Sequence, residues 1–377
     1  MSHKYSVLIP DGNKHTLLYV ANSFSKVKGV KLYTMAFDKR SAMKFSRYIY
    51  NYSYYKKPET DLEWVNNINT EIEKHDIDLI MPVFEEGIRI LIEHKAHLKH
   101  PNKLCVLPNL KDFLIANNKG KLYNHLEKNN FNKPNSIIVE NNIQTNLNAL
   151  LNKIKFPVVV KPVEGYGGGL KVALYKDKKS CIDFFENTEL DCNYIVQEYI
   201  NGYDGGCSVL CKEGVVLHYT MQKAIMKGGN NFAPLVALKF FYDEKLLEQI
   251  KRLMKSLNWS GVCHIDVRYD DFDKTYKILE INARFWSSLE ASTLAGTNFP
   301  DLYASLSLGK TLETQAYSKI KFYNLKGLIK GLKQRKKELF NINFILNNTP
   351  MGFALKDPLP MVYKFISRTI VIIMKKQ

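Results

Sequence analysis

The chain has 377 residues, 45% of them hydrophobic, and 54 Lys and Arg against 37 Asp and Glu give a formal net charge of +17. That length exceeds one typical core and predicts two or three globular domains, while the charge suits anionic partners without choosing among nucleotides, nucleic acid and an acidic membrane face. Six cysteines with no C-x-x-C pair argue against a zinc site or a disulfide framework and read as reduced thiols. The opening MSHKYSVLIPDG has only a short apolar run before a turn, unlike a secretory signal, so a cytoplasmic protein is expected.

In chain order, Tyr5 to Pro10 and Val30 to Ala36 are strand candidates separated by a helix over Thr16 to Ser25. A third strand, Ile77 to Val83, follows a helix around Leu62 to His75. Strands alternating with helices predict a parallel sheet covered on both faces. Phe84-Glu85-Glu86-Gly87 falls at the carboxyl end of the third strand, where open α/β sheets place ligands. Glu85 and Glu86 read first as acids opening a helix and second as acceptors for a substrate amine. No G-x-G-x-x-G occurs, so a dinucleotide fold is not supported. Lys111 to Asn130 reads as one helix carrying Lys119 and Lys121, and another helix is expected over Thr145 to Lys155.

Phe156 to Val172 (FPVVVKPVEGYGGGLKV) then reads as a strand, a glycine-rich loop and a second strand. Gly165, Gly167, Gly168 and Gly169 permit close backbone approach, so successive amide N–H groups can form a concavity for phosphate oxygens. Lys161, inward in so apolar a strand, wants an anion. No Gly-Lys-Ser/Thr opens a helix here, so the loop reads as a flap and not a P-loop; the bland alternative is a hairpin turn with no ligand. Tyr194 to Ile200 is an apolar strand whose end leaves backbone groups of the kind an adenine edge needs, and Asp204 beyond it is placed for ribose hydroxyls. Strands follow over Cys207 to Cys211 and Val215 to Met221, then a helix over Glu244 to Leu257.

The stretch Gly261 to Glu290 organises the rest. On extended backbone alternate side chains share a face, so Glu280, Asn282 and Arg284 project together while Leu279, Ile281 and Ala283 point away. A partner strand carries His264, Asp266 and Arg268, and Asp270 to Lys274 reads as the hairpin loop that brings Asp266 near Glu280. Two carboxylates and an amide oxygen beside an arginine suit Mg²⁺, which keeps several waters and is completed by substrate phosphates. A solvated hairpin is the competing account of any one of these residues, and the set weighs against it.

Past Arg284, Ser287 and Ser288 begin a helix, a gap at Gly296 separates a second, and Gly309 ends that one. The segment from Lys319 to Phe340 then combines a dense set of lysines with apolar residues at helical spacing, and Leu359 to Met374 is apolar but broken by Lys364 and Arg368, too short and too charged to span a membrane. Packing on the core with lysines toward water is the expectation for this extension, and peripheral contact with an anionic membrane is the alternative.

Read in sequence, Lys119, FPVVVKPVEGYGGG around Lys161, VQEYINGYD around Glu198, HIDVRYD and LEINARFWSS resemble the ATP-grasp superfamily over roughly Lys111 to Gly309. The resemblance implies ATP between two α+β subdomains, with Lys119 and Lys161 on its phosphates and the Gly165 to Gly169 loop closing over them. It implies adenine against Gln197, Glu198, Tyr199 and Ile200 through backbone groups of Glu198 and Ile200, and ribose on Asp204. Mg²⁺, or Mn²⁺ in its place, would sit on Asp266, Glu280 and Asn282, with Arg284, Lys161 and His264 nearest the chemistry. The layout implied is an N-terminal parallel-sheet domain over 1–112, ATP-grasp subdomains over 113–195 and 196–312, and a basic extension over 313–377.

EINARFWSSLEASTLAGTNFP and KDPLP are most similar to the carbamoyl-phosphate-synthase-like and D-aspartate-ligase-like branch of carboxylate–amine ligases. That implies small-molecule carboxylate and amine substrates, an acyl phosphate, and ADP and phosphate as products. His264 departs from the D-alanine ligases resembled, which carry an arginine near the acyl centre, so substrate identity does not transfer. Two other readings are an acyl-phosphate former whose acceptor is not an amine and a nucleotide-binding regulator without catalysis. A nucleic-acid partner is suggested by charge alone, and no motif supports it.

Overall fold

The structure is a computed structural model that describes residues 4–141, 147–165, 171–229, 232–313, 316–363 and 366. Its first layer grows from β1 (Tyr5–Ile9), whose five residues are all buried, as in a strand covered on both faces. After it come α1 (Thr16–Phe24), β2 (Val30–Ala36), β3 (Ile49–Tyr54), α2 (Asp61–Lys74), β4 (Leu79–Ile80) and α3 (Glu85–Glu93). The four strands form a parallel sheet in the order β3-β2-β1-β4. α2 starts where Thr60 Oγ1 accepts the Glu63 N–H, and it packs Trp64, Val65, Ile68 and Ile72 with Leu8, Tyr33 and Ile80. Two details depart from the sequence reading. β3 is an additional strand, and the strand expected over 77–83 shortens to two residues because Pro82 has no N–H to extend the ladder.

Residues 111–130 are two helices, not one. α4 (Leu110–Ala116) stops before Asn118, whose side chain accepts the Lys121 N–H at 2.8 Å and caps α5 (Lys119–Lys128). An asparagine side chain competes with the helical backbone, and here the restart puts Lys119 at the first position of a helix.

An antiparallel sheet ordered β5-β8-β6-β7 comes next: β5 (Ser136–Val139), β6 (Val158–Pro162), β7 (Ala173–Tyr175) and β8 (Tyr194–Glu198). α6 (Leu147–Leu151) and α7 (Lys178–Asn187) cover the face that carries Val158, Val160, Tyr194 and Val196. By alternation Lys161 belongs to the opposite face.

The third sheet has the order β13-β12-β9-β10-β11-β14. Its strands are β9 (Gly202–Lys212), β10 (Val215–Lys227), β11 (Leu235–Phe241), β12 (Gly261–Asp270), β13 (Tyr276–Asn282) and β14 (Lys321–Tyr323), with α8 (Glu244–Ser256) between β11 and β12. α8 buries Leu246, Ile250, Leu253 and Met254 over Cys207, Val209, Cys263, Ile265 and Val267, which leaves His264, Asp266 and Arg268 on the other face. α9 (Leu289–Leu294) and α10 (Phe299–Ser307) then pack back on α1.

The basic extension expected from 313 onward contributes a strand to the third sheet. β14 (Lys321–Tyr323) pairs with β11 and seats Phe322 against Leu238, Phe240, Ala291 and Ala295. α11 (Leu325–Lys333), α12 (Ile342–Asn348) and α13 (Met351–Lys356) follow. Asp357, just past α13, accepts from Ser46 Oγ and from the Arg47 N–H, so the extension is anchored to the first layer as well. No helix among the described residues is long and apolar enough to cross a membrane.

Candidate functional site

β12 and β13 form the hairpin that their alternation predicts, in a register that sets Asp266 opposite Glu280 and His264 opposite Asn282. Asn282 Nδ2 donates to Asp266 Oδ2 at 2.8 Å. A bulge between Asp266 and Val267 makes one correction: Ile278, not Leu279, enters the core with Ile281 and Ala283. Burial alone would raise the Asp266 carboxyl; the nearby His264 and hydrogen bonds with Asn282 and Glu280 hold it below its ordinary value instead.

Two lysines face these carboxylates. Lys161 is 8% exposed, and burial pushes its ammonium down to about 8; Glu280 and Asp266 favour the charged form, and Lys119 opposes it. Lys119 Nζ lies 3.5 Å from Glu280 Oε2. Its backbone N–H donates to the Val163 carbonyl at 2.9 Å, tying the start of α5 to the strand that carries Lys161. Asn118 also donates to Glu164 at 2.7 Å, beside Gly165. Gly167, Gly168 and Gly169 lie outside the described residues.

His264 is 4% exposed. Its Nδ1 is 2.8 Å from Ser208 Oγ, its Nε2 is 3.3 Å from Asp266 Oδ1, and Trp286 stacks on its ring. Gly206 is the neighbour that makes this possible, since a Cβ there would fall 2.6 Å from the imidazole. Arg284 Nη2 donates to Asn282 Oδ1 at 3.2 Å and Nη1 to the Phe285 carbonyl at 2.8 Å. Its Nε is 2.6 Å from Glu85 Oε1, an ion pair in which both side chains are buried, and the guanidinium lies over the Phe84 ring. Asp11, at the end of β1, accepts the Val83 and Phe84 N–H groups and so fixes the turn that presents Glu85. Glu85 thus opens α3, as its sequence position predicts, and also faces the site.

The adenine segment is held by its neighbours. Gln197 is buried and donates to Ser136 Oγ, the Glu198 N–H goes to the Asn135 carbonyl and the Tyr199 N–H to that of Pro157. Arg268 donates to the Ile200 carbonyl at 2.5 Å and to Tyr199 Oη at 3.1 Å. It also pairs with Asp204, whose other oxygen is paired with Lys227. Asp204 is therefore not the free acceptor its sequence position suggests, although a carboxylate with two cations on it keeps lone pairs for sugar hydroxyls.

Comparison with known proteins bears on this geometry. Residues 116–288 match the ATP-grasp domain family. Those residues form an ATP-grasp domain. The chain is 25% identical over 230 residues to the D-aspartate ligase of Enterococcus faecium (strain Aus0004), a match that covers 55% of this chain and about half, 53%, of that enzyme. The ATP-grasp fold is also seen in N5-carboxyaminoimidazole synthetase from Staphylococcus aureus complexed with ADP, at a TM-score of 0.67, 15% identity, and coverage of 83% of this chain and 80% of that one. L-amino acid ligase from Bacillus licheniformis superposes with a TM-score of 0.57 at 17% identity over 80% of this chain and 73% of its own.

Within that ATP-grasp domain the donor set at Asp266, Glu280 and Asn282 fits a hard divalent cation: two carboxylates in cross-strand register and one side-chain amide. The other acidic cluster, Asp61, Glu93 and His94, holds Arg89 between its two acids and is balanced without a metal. Arg268, Lys227 and Ser208 touch candidate site residues and have no role in the sequence reading, whereas Glu85, read there as a helix-opening acid or an acceptor for a substrate amine, pairs with Arg284. Arg268 sits on the Asp266 face by alternation and could have been found that way, whereas Ser208 is visible only once β9 is paired with β12.

Proposed function

We propose that this protein is an ADP-forming carboxylate–amine ligase that acts through an acyl phosphate on an amino acid or related small molecule. The observation that carries the reading is the meeting of Lys119 and Lys161 with Asp266 and Glu280 between two sheets, with Arg284 beside Asn282. A carboxylate is a poor electrophile, and phosphoryl transfer makes it reactive through positioning and neutralisation of charge. Lys119 and Lys161 would hold the phosphates, and Asp266, Glu280 and Asn282 would hold Mg²⁺ or Mn²⁺, which neutralises phosphate charge when bound. The backbone of Glu198 and Ile200 would meet adenine, and Asp204 would meet ribose.

A carboxylate oxygen of the substrate bonds to the γ-phosphorus as the bond to the β-phosphate oxygen breaks and ADP leaves. The amine nitrogen then bonds to the acyl carbon, phosphate leaves with the electron pair, and the nitrogen loses a proton. Arg284 faces the oxygens that gain charge in both steps. The buried Oε2 of Glu85 has no hydrogen-bond partner among the described residues and suits an N–H of the acceptor amine, which attacks in its neutral form. The likeness to a D-aspartate ligase supports an amino-acid substrate.

The test is a screen of amino-acid pairs and small acids, D- and L-aspartate included, for ATP-dependent phosphate release, with product masses read by mass spectrometry. The reading requires ADP, phosphate and an amide whose mass is the sum of two substrates less water. A stable phosphorylated product, or AMP with pyrophosphate, rejects it.

A further inference from the structure

Residues 316–377 carry thirteen Lys and Arg but only Glu338 and Asp357 as acids. Both acids are used internally. Glu338 accepts from Lys321 and Tyr323, and Asp357 is buried against Ser46 and Arg47. Among the described residues Lys326, Lys333, Arg335, Lys336 and Lys337 are exposed.

Within it, α11 has two apolar faces where a packed surface helix needs one. The face toward the sheet is built on Gly327, Leu328 and Gly331. A Cβ at Gly327 would fall 2.0 Å from the Val236 carbonyl oxygen, and one at Gly331 would fall 2.4 Å from Leu339, so the helix rests directly on β11 and on the turn that follows. The larger side chains, Leu325, Ile329 and Leu332, stand at i, i+4 and i+7 on one stripe and are exposed at 39%, 58% and 37%. Lys326 and Lys333 border that stripe, and beyond α11 Phe340 and Ile342 are exposed at 69% and 71%.

We infer that this face docks on an anionic lipid bilayer, with the Leu325–Ile329–Leu332 stripe at the acyl boundary and the bordering lysines among the headgroups. An apolar stripe edged by lysines, in a region almost free of uncompensated acids, matches a surface that is apolar below and negative above. The protein would lie on the membrane, as no described helix spans it.

The test is co-sedimentation of the full chain with vesicles of phosphatidylcholine alone or mixed with phosphatidylglycerol. The variants are Ile329→Gln with Leu332→Gln, and Lys326→Glu with Lys333→Glu, each checked by circular dichroism and gel filtration. All four side chains are exposed on α11. Binding is expected only with phosphatidylglycerol, weakening as salt rises, and falling at least about tenfold in either variant. Failure to bind, equal binding to both vesicle types, or unchanged binding in the stripe variant would overturn the inference. So would a wild-type dimer that the stripe variant converts to monomer, since a second copy would then be what covers the stripe.

Discussion

Replacing Lys161 with methionine should stabilise the fold while weakening ATP binding. The ammonium is buried and held near 8 instead of its ordinary 10.5, so the charged form costs the folded state about 3 kcal/mol. The unfolded chain binds that proton more tightly. Wild-type stability from this group is therefore lowest below about pH 8 and rises between pH 8 and 10.5 as the folded lysine loses its charge first. Methionine keeps the apolar stem and never carries the charge. Lys161→Met is expected to gain about 3 kcal/mol at pH 7, and the gain should fade toward pH 10.5. Thermal unfolding followed by circular dichroism at pH 7, 8.5 and 10 measures this. ATP affinity in the same variant should fall roughly 10- to 100-fold, the worth of a charged hydrogen bond to phosphate. An unfolding temperature equal to wild type at pH 7, or a difference that does not change with pH, would refute the reasoning about burial. Unchanged ATP affinity would separate Lys161 from the phosphates.

Asp266→Asn and Glu280→Gln each remove one charge from the proposed metal shell with little change of shape. Both should abolish Mg²⁺-dependent ATP turnover while leaving the circular dichroism spectrum intact, which a Mg²⁺ titration of phosphate release checks. Arg284→Met leaves the Glu85 carboxylate buried without its cation and should cost about 3 kcal/mol in thermal unfolding, much of it recovered when Glu85→Gln is added. Glu290 is buried, accepts from Asn22, and is pushed by burial up to about 7 from 4.5. The folded state then holds the proton more tightly, so wild-type stability falls as pH rises from 4.5 to 7; Glu290→Gln should remove that slope and gain about 3 kcal/mol at pH 8 but nothing at pH 4.

The parts of the site carried by strands were legible because a period of two assigns faces without tertiary information. Asp266, Glu280 and Asn282 share a face for that reason, and the turn residues at Asp270 to Lys274 set the pairing that brings Asp266 to Glu280. The parallel first layer was likewise written in alternating apolar runs, but β3 was not, because IYNYSY is only partly buried and lacks a clean pattern. The break before Lys119 rests on the side chain of Asn118, a local competition that helical periodicity does not register. Contacts between distant segments were the least accessible. Glu85 meets Arg284 from nearly 200 residues away, Arg268 takes the oxygens of Ile200 and Asp204 that looked free, and the extension returns to pair β14 with β11. Apolar residues at helical spacing predicted only helices packed on the core for that last segment, and its short strand shows in the pairing with β11 and the burial of Phe322 and Tyr323.

The central claim is that a substrate carboxylate attacks the γ-phosphate of ATP, and oxygen tracing tests it most directly. The acid substrate found by the amino-acid screen is labelled with ¹⁸O in its carboxylate and turned over with ATP and amine, and the phosphate released is analysed by mass spectrometry. Attack by the carboxylate predicts one ¹⁸O in each phosphate and one retained in the amide. Phosphate free of label, with both ¹⁸O atoms still in the product or the recovered acid, would contradict it.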